Sequence, residues 1–592
     1  MLGELYQYAI DNGLTARPGF KQKNVKYYIH FDLNGHFLGF DILEDEMPKP
    51  YCPFVNGLNQ GDKCDLIAEK AEIILNINNS NPKPTLSKKH QFYMESLKKA
   101  SEYDKLAEIA YKGISSCLDS IKEQYVSDKK KKITDILSIK VDGIPLESST
   151  DFSEWWSEYR FNFEKVSSAM ARCLITGESV QIAKTVPKLN VSLPSSLDPE
   201  KSSLATLISF DKAAFRSYGL EQAENAPVSG ETMNIVNSAL EDLIRKAPAP
   251  LAGAINIHWF SQAPEMDILE ILDFGYTSSE NNFSEDIEET KTTDEKRIQT
   301  LFSFVTSKIP PQKLPKCKYY MMSLSATKTR VMIRQYDEGN YQDLFFHIQK
   351  WFQDICIDIP NYGKSYPKLF RIYSRLLKFS TNKTKLSERI AEELSGLAPQ
   401  IMYAILHGTP LPDTAAAKAL AYIRSDMYAG NDDNAPKIKN IDVVSCQILK
   451  AWLNRKYRNQ NKEEFCIMDN LNEQSPSKAY QSGRLMAVYA ALQRAALGDV
   501  GAGVVERYYT SACTSPALVM GKLATMAQYH LSKLEQGSKI YYSRMLQEIS
   551  IQIGTSLPAT FTLEEQSQFA LGFYFQTAEI YKSKKTNPET EE

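Results

Sequence analysis

Gly363-Lys364-Ser365 ends as a phosphate-binding loop ends, with a lysine placed to reach phosphates cradled by backbone N–H groups. The earlier glycine that such a loop needs is Asp358, so the cradle is not expected to form. The chain contains no H-E-x-x-H zinc motif, no G-x-S-x-G nucleophile elbow and no His-Asp dipeptide among its 7 histidines. His258, beside Trp259, could serve as a general base, and the same placing suits a strand-end histidine packed against a ring. Asp432-Asp433 offers paired carboxylates without the D-x-D-x-D-G spacing of a calcium loop, which fits a solvated turn. The 9 cysteines are scattered, with no C-x-x-C pair to fix a zinc tetrahedron. They read as reduced thiols of a cytoplasmic protein. The expectation is a non-catalytic chain that uses neither metal nor cofactor.

Binding chemistry is better represented. The loop Asn56-Gly57-Leu58-Asn59-Gln60-Gly61-Asp62-Lys63 puts amide donors and acceptors on a glycine-bearing backbone. That is equipment for entering a groove and reading base edges, with Asn56, Asn59 and Gln60 for bases and Lys63 for phosphate or base. The same residues also make an ordinary turn before a helix. Lys129-Lys130-Lys131-Lys132 could neutralise phosphates, or simply be solvated. Near the C-terminus, Ser515-Pro516 supplies an N-cap and a first-turn proline for a helix running to about Leu534, with Val519, Leu523, Met526 and Leu534 toward a core. Lys522, Tyr529 and Lys533 then share another stripe, because steps of seven and eleven residues return to nearly the same helical angle. An aromatic ring between lysines suits a single strand, whose bases stack while its phosphates pair. It equally suits docking to a neighbouring protein. Arg484 and Arg494 fall on adjacent faces of the preceding helix, opposite Leu485, Val488 and Leu492, where both helices could meet one ligand.

The elements that must position these groups follow from pattern. Asn34-Gly35 between Val25–Phe31 and His36–Ile42 predicts a hairpin, since both residues tolerate positive φ. Pro48–Lys63 reads as an exposed loop, Leu66–Ile77 as helical or strand-like, Gln91–Tyr125 as helix and Ile133–Val141 as a strand ending at Asp142-Gly143. Ile255–Phe260 and Tyr319–Gln335 are buried strand candidates, with the acidic Thr277–Thr293 between them as a surface insertion. From about Lys368 the pattern is helical, and Ser583–Glu592 should fray. The fold class expected is an α+β N-terminal region followed by an all-α helical bundle, divided as 1–145, 146–365 and 366–592. A length of 592 residues exceeds one hydrophobic core and suits roughly two to four domains. With 43% hydrophobic and 24% charged residues the composition is globular, and the net charge of −3 confines any nucleic-acid site to a local patch. The N-terminus lacks the basic region of a signal peptide, and no apolar run reaches membrane-spanning length.

Several segments follow no composition rule. Ser209-Phe210-Asp211-Lys212-Ala213-Ala214-Phe215-Arg216-Ser217-Tyr218-Gly219-Leu220 and its continuation through Asn225-Ala226-Pro227 to Ser229 read physically as a strand–helix–loop unit. With Cys173-Leu174-Ile175-Thr176-Gly177, Leu324-Ser325 to Arg330, Ala479–Leu485, Gln493–Asp499, Arg507-Tyr508-Tyr509 and His530–Leu534, they resemble, in order, motifs of the Csd-type large-subunit family of type I-C CRISPR surveillance complexes (Cascade). Two stretches depart from that pattern: Val186-Pro187-Lys188-Leu189 replaces a His-Pro and Ile-Lys-Gly-Val run, and Ser202-Ser203-Leu204 lacks the usual glycine.

The resemblance implies a subunit that recognises the target-flanking motif (PAM) in double-stranded DNA, promotes R-loop formation and stabilises the displaced strand, while guide pairing supplies sequence specificity. It implies as partners the backbone and crRNA-processing subunits, a small helical subunit, the crRNA indirectly, and a nuclease–helicase recruited after R-loop formation. It also makes Lys70, after the Asn56–Lys63 loop, a DNA-contact candidate. Residues 468–592 resemble the small helical subunit, with Met468 as a candidate internal start and Met486 behind it. The rival readings are an enzyme built on His258 and a purely structural scaffold.

Overall fold

The computed structural model describes residues 1–14, 19–43, 49–55, 58–59, 61–77, 84–163, 166–195, 202–210, 212–272, 315–378, 385–428, 441–498, 500 and 503–582. Asn56, Gly57 and Gln60, the acidic segment Thr277–Thr293, Asp432-Asp433 and Ser583–Glu592 lie outside them. The chain forms two compact units: Met1–Leu193 with Ser202–Lys246 and Ala326–Met332, and Pro194–Lys201 with Ala247–Ser325 and Ile333–Glu592. An α+β N-terminal region precedes a long helical C-terminal region, as the pattern predicts.

In the first unit, Val25–Phe31 and Phe37–Ile42 form the expected antiparallel hairpin. Of the Asn34-Gly35 pair only Gly35 adopts a left-handed φ, at 84°, because the Asp32 carboxylate receives the N–H groups of Asn34 and His36 and tightens a longer turn. Val25–Phe31 also pairs in parallel with Ile136–Val141, which carries Glu69–Lys70 on its far side. A parallel pair needs a crossover, and helices Pro84–Ala100 and Lys105–Ser127 lie between the two strands in sequence. The single helix predicted over Gln91–Tyr125 is thus two, because the Asp104 side chain accepts the Ala107 N–H at 2.6 Å and starts a new helix. Ile29, Phe31, Leu137, Ile139 and Val141 pack with Tyr93, Leu97, Ile114 and Ile121 in the core of this unit. The predicted loop Pro48–Lys63 contains a short strand, Tyr51–Pro53, paired with Phe20–Gln22.

Ile255–Phe260, in the second unit, pairs antiparallel with Lys318–Thr327, next to Arg330–Asn340; the tip of these two long strands, Ala326–Met332, belongs to the first unit. The single strand predicted over Tyr319–Gln335 is therefore two, broken at Lys328, whose φ is 55°. Helices from Tyr341–Ile355 to Leu563–Ile580 enclose one large apolar cluster. Two of them touch at glycines: a methyl at Gly483 in Lys478–Leu497 would overlap the Phe569 carbonyl, and one at Gly572 in Leu563–Ile580 would overlap that of Tyr480. Residues Phe569 to Thr577 are consecutively buried, so the last helix is the centre of its bundle. Val443–Asn459 also reaches it, through Tyr457 Oη, which accepts from Gln568 at 2.6 Å, and Lys456, which pairs with Glu564 at 2.6 Å.

A buried ion cluster ties helices of this unit together. The Asp354 carboxylate, with no exposed surface, pairs with Arg455 and Arg458. The buried Lys450 ammonium donates to the carbonyls of Gln353 and Asp354, at 3.1 and 3.2 Å, and pairs with Asp469 at 3.0 Å. It thereby satisfies orphan carbonyls at the end of helix Tyr341–Ile355.

Candidate nucleic-acid interface

The segment that carries Asn59, Lys63 and Lys70 is held from below by buried charge. Lys23 donates to Asp65 at 2.6 Å and to the Ala68 carbonyl at 2.7 Å, while Glu69 accepts the N–H groups of Asp65 and Lys70. Burial opposes the charge on Lys23, but Asp65 and Glu69 outweigh it and hold its pKa above the usual lysine value. Between them Ile67 sits at φ 58°, a conformation a β-branched residue disfavours by about 1–3 kcal/mol. Its buried side chain and the Tyr93 hydroxyl on its carbonyl, at 3.0 Å, hold it there. Asn59, Lys63 and Lys70 are all exposed above this anchor. The carbonyl of Asn59 is fixed by Lys89 at 2.9 Å, leaving its side chain outward, and Lys63 lies 5.0 Å from the Phe163 ring. Lys70 ends the strand Glu69–Lys70, opens the short helix Ala71–Ile74 and stands 3.7 Å from Glu72. Lys23 carried no sequence signal, because its partner Asp65 is 42 residues away.

The four lysines do not act alike. Lys129, Lys130 and Lys132 are exposed. Lys131 instead enters an aromatic cage, 4.2 Å from the Phe40 ring centre, 5.5 Å from Tyr27 and 5.6 Å from Tyr125, and 3.5 Å from Asp128. Its expected phosphate role is corrected: cation–π attraction turns this ammonium toward the protein.

Helix Pro516–Ser532 turns Val519 and Leu523 into the core and leaves Lys522, Tyr529 and, just past its end, Lys533 exposed on the predicted stripe. Tyr529 shows 73% of its surface, and Lys522 lies 5.1 Å from the Tyr508 ring. The Ser515 side chain makes no capping bond, so Pro516 alone marks the start. Arg484 departs from expectation. It is buried, donating to Gln576, Gln481 and the Glu473 carbonyl, and so serves the bundle interior and not a ligand face. Arg494 is half-buried.

Of the segments that follow no composition rule, those around Cys173–Gly177, Ser209–Ser229 and Thr329-Arg330 meet in the first unit, while those from Ala479 to Leu534 lie in the second. Leu174 N–H donates to the Pro227 carbonyl at 3.0 Å, Thr206 bonds Thr329 and Val331, and Arg330 lies 5.8 Å from the Phe215 ring. Ser209-Phe210 is not the strand end predicted; two short 3-10 turns, Ala213–Arg216 and Gln222–Asn225, shape this stretch. Gly363-Lys364-Ser365 is a strand paired with Ile357–Ile359, which has no concave backbone for phosphates. His258 Nε2 meets Asp267 Oδ2 at 2.7 Å, a pairing that the nine-residue gap concealed, and Asp267 Oδ1 accepts the N–H groups of Leu269 and Glu270 as a turn cap. Among the described residues no group of three or more His, Cys, Asp or Glu side chains could hold a metal ion, and no helix is long and apolar enough to cross a membrane.

No curated protein matches the chain. The family model described as CRISPR-associated protein (Cas_Csd1) matches residues 2–581, covering both compact units and nearly every motif quoted above. On that match the chain belongs to the Cas_Csd1 family of CRISPR-associated proteins, and with it to the subunits of multi-subunit CRISPR complexes.

Proposed function

We propose that this chain is the non-catalytic large subunit of a type I-C surveillance complex in the cytoplasm, reading the flanking motif of target DNA and promoting R-loop formation. The observation that carries the reading is the rigid anchor beneath an exposed polar loop: Lys23, Asp65 and Glu69 fix the backbone from which Asn59, Lys63 and Lys70 project. Base reading requires donors held in place before the groove arrives, since each ordered side chain costs entropy. The exposed Lys522, Tyr529 and Lys533 stripe supports the second half of the reading, in which a displaced strand stacks on the ring and pairs with the lysines.

The test is duplex binding by the assembled complex, with and without the flanking motif. Asn59→Ala and Lys70→Ala should each weaken motif-bearing duplex by roughly 1–3 kcal/mol and motif-free duplex by less. Gln60→Ala belongs in the same series. Equal losses on both duplexes would reduce the loop to phosphate positioning, and unchanged binding would leave the scaffold reading.

A further inference from the structure

Within the second unit, a cleft of about 360 Å³, its open mouth included, carries Arg334, Gln335, Asn256 and three hydroxyl side chains among apolar ones, and no acid. Arg334 enters it with Nε donating to Ser325 Oγ at 3.0 Å and Nη1 to the Ala252 carbonyl at 3.3 Å. Both acceptors are neutral. Burial lowers its pKa, and no carboxylate acts to restore it. The turn that presents the Ala252 carbonyl is strained: Ala252 has φ 52° and Gly253 72°. A left-handed alanine costs on the order of 1 kcal/mol or more and persists where the surroundings dictate it. Gly253 leaves Nη2 room, 3.7 Å from where a Cβ would stand.

Two amides add donors. The Gln335 amide nitrogen is buried and reaches no acceptor among the described residues. Asn256 gives its side-chain oxygen to Ser323, which leaves its amide nitrogen to donate. Both residues line the cleft, as do Ser395 and Ala398 around the start of helix Leu397–His407. The first N–H groups of that helix, Leu397 and Ala398, turn back to the Leu394 carbonyl, so the terminus adds its positive dipole end and no free donor. A half-buried guanidinium without a counter-ion and a buried amide nitrogen without an acceptor each carry a desolvation penalty that nothing nearby offsets. One oxyanion relieves both.

We propose that this cleft binds a phosphate group, gripped by Arg334 and hydrogen-bonded by Gln335 and Asn256. The site shares no residue with the Asn59 loop or the Lys522 stripe, and does not depend on the reading given to them. Free phosphate and a backbone phosphate of a nucleic acid share this chemistry.

The experiment is a phosphate titration of the full chain followed by ³¹P line broadening, at constant ionic strength set with chloride. Arg334→Met and Gln335→Leu should each weaken phosphate binding roughly tenfold or more, as expected for losing a charge-assisted or buried hydrogen bond. Lys539→Met, at an exposed lysine on helix Gln536–Ile553, should leave it unchanged. Arg334→Lys keeps the charge and guards against a variant that fails to fold; it should weaken binding by less than Arg334→Met. A second arm uses a short single-stranded oligonucleotide. Competition with phosphate that is lost in Arg334→Met assigns the site to backbone phosphate, and its absence assigns the site to free phosphate. Phosphate broadening equal in wild type, Arg334→Met and Gln335→Leu overturns the proposal.

Discussion

Alanine at Gly483 should unsettle the helical region despite being the better helix former. The added methyl would overlap the Phe569 carbonyl oxygen and lie 2.9 Å from the Phe573 nitrogen, and both obstacles are backbone. No rotamer change relieves such a clash, so Lys478–Leu497 and Leu563–Ile580 must separate along their seam. Overpacking typically costs about 1–3 kcal/mol, and a backbone obstacle places this site near the upper end, about 3 kcal/mol. Helix propensity returns about 1 kcal/mol. The net loss is about 2 kcal/mol, or roughly 4–8 °C in the melting of a cooperative unit of some 150–250 residues. Gly521, in helix Pro516–Ser532, is the matched control, because nothing lies within 4 Å of the point its methyl would occupy. Gly521→Ala should stabilise by about 0.5–1 kcal/mol. Differential scanning fluorimetry of wild type, Gly483→Ala, Gly572→Ala and Gly521→Ala checks the argument. If Gly483→Ala and Gly521→Ala move the melting in the same direction, the close crossing does not exist.

Lys131→Ala should lower stability by about 1–2 kcal/mol through its lost ring contacts and leave the salt dependence of DNA binding unchanged, whereas Lys129→Ala and Lys130→Ala should do the reverse; filter binding across a salt series, with melting alongside, separates them. Asp354→Asn strands the buried Arg455 guanidinium, whose pKa burial already pulls down to about 10, and should cost about 3–5 kcal/mol. A shift in urea midpoint worth under about 1 kcal/mol would show that solvent reaches this cluster. His90 Nδ1 lies 3.0 Å from the Ile73 carbonyl oxygen, and burial, with Lys122 nearby, lowers its pKa below 6.5. Because the folded value lies below the unfolded one, its stabilisation is present above pH 6.5 and fades as pH falls through the folded value. His90→Gln should therefore flatten acid sensitivity just below pH 6.5, and an unchanged melting profile would count against the assignment.

What can be read from the sequence is local. The Asn34-Gly35 hairpin, the Asp142-Gly143 turn and the Lys522, Tyr529 and Lys533 stripe follow from residue type and spacing within a few turns of chain. Arg484 escapes such a reading because its helix is buried all round near Gly483, and periodicity cannot choose a solvent face when neighbours cover every side. Lys131 looks like its three surface neighbours because the rings that capture it come from residues 27, 40 and 125. The Arg334 cleft depends on a left-handed Ala252, a conformation alanine does not advertise.

The burial of Phe569 to Thr577 has a consequence for how the protein is made. A ribosome releases helices Val443–Asn459 and Lys478–Leu497 well before Leu563–Ile580, the helix they enclose. Folding from the N-terminal side can therefore line the walls of this bundle while its interior still lacks Phe569, Phe573 and Phe575. During that interval apolar walls face water, and the nascent chain depends on chaperones or on speed. Any shorter product begun at Met468 inherits the opposite defect: it holds the central helix and lacks the wall that carries Trp452 and Tyr457. Such a product must cover that side with another protein or with its own copies.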